Sequence, residues 1–182
     1  MYPVPRAQGG FTLTEIMLVV AFVGTLTAIA VPLTGDIRAS VKLNEAARQV
    51  QREFAEARLR AVSSNRSLRV RTNCPSAGFV RTVEVVGTAA IDNATNRCTH
   101  AAYPFPPDND LMTRPNYDGP MRPLPDGTTV TTVNLQFQPD GTVLNVVANV
   151  ATALGAEQTI TISRLERSRT VKVNAAGKIQ LQ

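Results

Sequence analysis

The sequence has no tryptophan, one histidine, two cysteines and an aromatic fraction of only 5%. With a lone His100 and no CxxC spacing, a zinc or other structural metal site has no ligand set to draw on. No glycine-rich phosphate loop and no acid–base pair at informative spacing occur, so no catalytic constellation can be assembled. Neither an enzyme nor a cofactor-dependent protein is expected. The scarcity of aromatics among the basic residues also leaves base stacking without a platform. The most telling absence is local: from Ile16 to Leu33 there is no charged residue, and Thr25 and Thr27 are the only polar side chains.

That run, within "GGFTLTEIMLVVAFVGTLTAIAVP" (9–32), is too long and too free of charge for the core helix of a small domain. A helix from Phe11 to Leu33 would rise about 34 Å, enough for a bilayer core of roughly 30 Å. Glu15 stands at its front edge. An ionisable group there is costly and points to a function. A cleaved secretory signal is an alternative, with Ala28-Ile29-Ala30 as the small-residue site, but Glu15 and the length of the run argue against it.

Beyond Gly35 the vocabulary stays helical but becomes amphipathic. Leu43, Ala47, Val50, Phe54, Ala57 and Ala61 recur at steps of three and four, separated by arginine, glutamate and glutamine. One helix from about Thr12 to Ser63 is expected, with Asn65 able to take a left-handed cap. Gly24 and Pro32 are its weak points, since glycine adds backbone entropy and proline removes a hydrogen bond. We expect the helix to bend or fray there.

From Ser67 onward the chain alternates like β-strands, over 67–72, 79–86, 129–138, 142–147, 158–163, 169–174 and 178–182. Pro139-Asp140-Gly141 and Ala176-Gly177 mark tight turns. Seven prolines lie between Thr99 and Thr129, predicting a long loop. Cys74 and Cys98 form an even pair in a chain that opens like an exported one, which favours a disulfide over two buried thiols. The net charge of +5 hides a split. Residues 92–140 carry six acids against three arginines, whereas 141–182 carry five basic residues against two acids. These charges are read as a solvated surface.

Gly10-Phe11-Thr12-Leu13-Thr14-Glu15 followed by the apolar run resembles the leader junction of type IV pilins and type II secretion pseudopilins. Threonine at 14 departs from the commoner isoleucine or valine. The resemblance implies cleavage by prepilin peptidase between Gly10 and Phe11 and N-methylation of Phe11. It also implies that Glu15 partners the amino terminus of a neighbouring subunit, so that either charge alone would be left buried. Gly24 and Pro32 would then bound a stretch of helix that loosens on assembly. "LQFQPDGTV" (135–143) and "ITISRLERSRTVKVNAAGKIQL" (160–181) resemble the globular domain of minor pilins and pseudopilins of the FimT/FimU/GspH type.

Some FimT-like pilins bind DNA through a glycine-arginine-x-arginine motif. The matching positions here read Gly177-Lys178-Ile179-Gln180, so one charge is kept and one is lost. Arg164, Arg167, Arg169 and Lys172 are further candidate phosphate contacts.

The expected fold is α+β: a long hydrophobic-then-amphipathic helix packed on a C-terminal antiparallel β domain. Its parts are a leader (1–10), a transmembrane and assembly helix (11–35), an amphipathic half (36–65) and a globular domain (66–182). The implied partners are other pilin or pseudopilin subunits, prepilin peptidase, an inner-membrane assembly platform and, as an alternative role, DNA. The implied location is the inner membrane, crossed once, with the β domain periplasmic and the subunit later in a pilus or pseudopilus.

Overall fold

The chain is described from a computed structural model, which covers residues 10–105 and 114–182 and, at 30–34, the backbone only. The leader before Gly10, the side chain of Pro32 and part of the proline-rich stretch (106–113) lie outside the described residues.

Helix α1 spans Leu13–Ser64. Thr12 starts it: the Glu15 N–H donates to the Thr12 carbonyl (3.1 Å) and to its hydroxyl (3.3 Å). Thr12-x-x-Glu15 is the spacing of a capping box, and the Glu15 carboxylate suits the positive end of the helix dipole. At the other end Asn65 is left-handed, with φ of 52°. The N–H groups of Arg66 and Asn65 return to the carbonyls of Ala61 and Val62, closing a Schellman motif. The helix runs continuously past Gly24 and Pro32.

Two compact units divide the chain, Met1–Arg38 and Ala39–Gln182. The first is helical from Leu13 on. In the second, the helix from Ala39 to Ser64 packs against two antiparallel sheets. One sheet has the order β3-β2-β1-β5-β6-β7, with β1 Leu68–Thr72, β2 Phe79–Glu84, β3 Arg122–Pro123, β5 Asn134–Phe137, β6 Val143–Val147 and β7 Val150–Ala153. The other has the order β10-β9-β8-β4, with β4 Thr129–Val130, β8 Gln158–Arg164, β9 Arg167–Val173 and β10 Ile179–Leu181. A single turn of helix, α2 (Ala89–Asp92), follows β2.

The predicted helical stripe is the centre of the core. Leu43, Ala47, Val50, Phe54, Ala57 and Ala61 are all buried, against Leu68, Val70, Val80, Leu135, Phe137, Ile160, Ile162, Val171 and Val173 from the sheets. Each large apolar side chain buried in this way contributes about 1.5–3 kcal/mol. Phe54 and Phe137 meet at 6.2 Å between ring centres.

The run 129–138, predicted as one strand, is divided between the two sheets. Val130 pairs with Ile162 in one sheet, and Leu135 pairs with Val70 in the other. Thr72 causes the break: its hydroxyl donates to the Thr131 carbonyl (2.7 Å) and accepts from the Val133 N–H (2.8 Å). It satisfies backbone groups that a continuous ladder would have used. Strand β7 was not expected either. It is created by Ala148 and Asn149, both at positive φ, which form the two-residue turn of a hairpin.

Candidate functional site

Three regions bear on function. At the N-terminal end, Phe11, Leu13 and the apolar side chains from Ile16 to Ile29 are exposed, Phe11 by 79%. Such a continuous apolar surface marks an interaction site. Its two hydroxyls are satisfied inside the helix, Thr25 donating to the Phe22 carbonyl (2.9 Å) and Thr27 to that of Val23 (2.7 Å). Nothing polar therefore interrupts the surface behind Glu15, which is exposed in the first turn. Among the described residues, nothing beyond its own helix's backbone and chain neighbours lies within 4 Å of where a Cβ at Gly24 would stand. Among the described residues no helix is long and apolar enough to cross a membrane.

The C-terminal basic residues do not converge. Arg164 lies at the β8–β9 turn with its guanidinium folded against Gly127. Arg167 begins β9 at the same end. Arg169 donates to the Asn44 side chain on α1 (3.1 Å), and Lys172 pairs with Glu157 (3.5 Å). Lys178 is exposed at the far end of the sheet, beside the Gly177 turn. That turn demands glycine twice over: φ is +75°, and a Cβ would collide with the Arg58 guanidinium and the Gly141 carbonyl. The glycine of the resembled motif is thus bound to the packing of α1 on the turn.

The third region escaped sequence reading. The chain between β2 and β3 is tied back by the Cys74–Cys98 disulfide, whose Cα atoms are 5.5 Å apart. It covers the outer face of β1 and β2 with charges that are buried rather than solvated. Arg81, Arg97 and Asp118 are fully buried, and Glu84 nearly so. Asp118 accepts from both terminal nitrogens of Arg97 and from the Glu84 N–H (2.7 Å). Arg97 also donates to the Glu84 carbonyl (3.0 Å) and lies 4.5 Å over the Tyr103 ring. Arg81 donates to the carbonyls of Gly119, Cys98 and Tyr103. The Glu84 carboxylate accepts from the Asn116 N–H (2.9 Å), with Arg66 and Arg114 nearby at 3.6 and 3.8 Å. Burial holds the Arg81 guanidinium below its ordinary pKa, partly offset by Asp118. Asp118 is the buried anion shared by Arg81 and Arg97, while Glu84 is met by the half-exposed Arg66 and Arg114, and the set is a clamp on the loop rather than a reaction centre. The alternation of 79–86 pointed the other way, to a strand with one exposed face, whereas both faces of β2 are buried. Among the described residues no cluster of histidine, cysteine and acids could hold a metal ion.

Comparison with known proteins adds an independent line. Residues 46–177 match the family described as "Type II transport protein GspH". Two curated relatives, each a "Fimbrial protein" of Pseudomonas aeruginosa, are 47% identical over 45 residues, a quarter of this chain. The chain spans only 29% of the length of these relatives. Two crystal structures of the type IV minor pilin FimU of Pseudomonas aeruginosa overlap it with TM-scores of 0.49 and 0.46 at 15% and 16% identity. The first overlap covers 79% of this chain and 90% of that one, the second 77% and 92%.

Proposed function

Because this chain belongs to the GspH family of minor pilins and pseudopilins, structural subunits that interact with other subunits of their kind, we propose that it is made with a leader and matured before assembly. Prepilin peptidase cuts between Gly10 and Phe11, and Phe11 is then N-methylated. The 11–35 segment crosses the inner membrane once and afterwards packs among the helices of neighbouring subunits at the assembly platform. The 36–65 half of the helix and the 66–182 domain face the periplasm. Glu15 neutralises the amino terminus of a neighbour, and the helix between Gly24 and Pro32 is where regular structure yields on packing.

One observation carries this reading. An uninterrupted apolar helical surface begins directly after Gly10-Phe11, with a single carboxylate, Glu15, in its first turn. That carboxylate has no ion-pair partner among the described residues of its own chain. A partner from another subunit would remove the cost of burying it. The intact mass of protein from the native host tests the proposal: loss of residues 1–10 plus one methyl group is expected. Cleavage after Ala30 would instead make the run a secretory signal and end the filament reading.

Of the two machines, the pilus is favoured by Pro32, which is more typical of the pilin branch than of the secretion branch. The DNA-receptor alternative has less geometry behind it, since Arg169 and Lys172 are engaged within the domain and the Arg164 guanidinium is folded against Gly127. Its test is salt-dependent DNA binding, which should weaken in Lys178→Ala if the Gly177 turn is the contact.

A further inference from the structure

Strand β10 is an edge of its sheet, bonded to β9 alone. Gln182 and Thr170 exchange both backbone hydrogen bonds, and Lys178 accepts from the Asn174 N–H. The even-numbered residues of β10 therefore point their backbone groups at β9. By the alternation of an antiparallel ladder, Ile179 and Leu181 point theirs outward, away from the sheet. Such an edge is a template for another strand.

Beside this edge runs a second stripe on α1, distinct from the one in the core. Val41, Glu45, Arg48, Arg52, Leu59 and Val62 share it at steps of three, four and seven. Val41, Leu59 and Val62 are exposed large apolar residues. Two open cavities follow the stripe, about 870 Å³ bounded by Leu181 and about 510 Å³ bounded by Lys178 and Ile179. Their charged lining is Arg48, Arg52, Arg58 and Lys178 against the single acid Glu45. None of the ion pairs among the described residues engages any of these four cations.

We infer that the β10 edge and this flank of α1 together accept an extended, acidic segment of a partner polypeptide as an added strand. The main-chain groups of Ile179 and Leu181 would supply its ladder. Its apolar side chains would cover Val41, Leu59 and Val62, and its carboxylates would meet Arg48 and Arg52. A polypeptide fits better than a nucleic acid, because the free groups are backbone donors and acceptors beside the exposed Val41, Leu59 and Val62, and no aromatic ring lines either cavity. The inference stands apart from leader processing and from the position of the subunit in a filament.

The test uses the full chain in detergent with a labelled peptide of alternating aspartate and valine, about ten residues long, as the probe. The expected result is saturable binding, with slowed hydrogen exchange at the Ile179 and Leu181 amides. Leu181→Pro removes an outward N–H while sparing the β9 ladder, a position where edge strands tolerate proline. It should weaken binding at least about tenfold. Should that variant misfold, Arg48→Glu with Arg52→Glu provides the second arm and should weaken binding to a similar degree. Equal binding of a lysine–valine peptide would overturn the proposal, as would full binding by a folded Leu181→Pro protein. Duplex DNA displacing the probe without protecting those two amides would overturn it in favour of a phosphate-binding surface.

Discussion

Asp118→Asn is the sharpest probe of the buried clamp. The substitution keeps the shape of the side chain but removes the one carboxylate that pairs with Arg81 and Arg97, both fully buried. The remaining anion, Glu84, is already approached by Arg66 and Arg114, so it cannot take over the role of Asp118. Breaking one side of a buried pair costs about 3–5 kcal/mol, because a charge is left uncompensated. For a chain of this size each kcal/mol lowers the midpoint by about 2–4 °C, so a fall of about 6–20 °C is expected. Tyrosine near-UV circular dichroism follows it well. No tryptophan masks the signal, and Tyr103 and Tyr117 both lie against arginines of the clamp. Replacing Arg97 and Asp118 together by methionine and leucine should cost less than Asp118→Leu alone, since Arg97 is no longer an orphan charge and only Arg81 is left without its carboxylate. A fall of under about 3 °C for Asp118→Asn would refute the reasoning, as would a double variant worse than the single.

Three further outcomes follow from the geometry. Gly177→Ala should destabilise by about 1–3 kcal/mol through left-handed strain and collision with Arg58, and an unchanged midpoint would show that the turn relaxes freely. Cys74→Ser with Cys98→Ser should lower stability by roughly 3 kcal/mol, and reductant should bring the parent protein down to the same midpoint while leaving the variant unmoved. Glu53 packs beside Arg122 at 3.3 Å, yet burial outweighs that cation and raises its carboxyl above the ordinary 4.5. A raised folded-state pKa gives stability that is present below 4.5 and lost as pH climbs through the raised value. Glu53→Gln should therefore match the parent in acid and equal or exceed it near neutrality; a lower midpoint only at neutral pH would reverse that sign.

The helix was the most legible element because its two faces obey one period over many residues. Every residue of the predicted stripe from Leu43 to Ala61 is buried. Its C-terminal cap at Asn65 was likewise readable from residue type. The strands were legible as alternation, but their assignment to sheets was not. Nothing in 129–138 announces that the hydroxyl of Thr72, more than fifty residues earlier, will divide it. The buried clamp was read as solvated charge because arginine and aspartate are ordinarily exposed. Their burial depends on partners from β2, the disulfide loop and the 114–119 segment, which only the tertiary fold brings together. The capping pair Thr12 and Glu15 carries a local meaning that the membrane question overshadowed: the carboxylate suits the start of a helix whether or not it also meets a neighbour's amino terminus as proposed.

The order in which the core is supplied has a consequence for biosynthesis. The stripe from Leu43 to Ala61 is made early, whereas Ile160, Ile162, Val171 and Val173, which cover it, come about a hundred positions later. At about 5–20 residues per second, the apolar face of the helix emerges roughly 5–20 s before its cover exists. The β8–β9 hairpin can form from neighbouring residues alone, since its strands pair from Gln158 to Val173. The slow event is then its docking onto a helix already in place. During that interval the nascent chain exposes the apolar face of an amphipathic helix, and a chain stopped short of Val173 lacks part of what covers it.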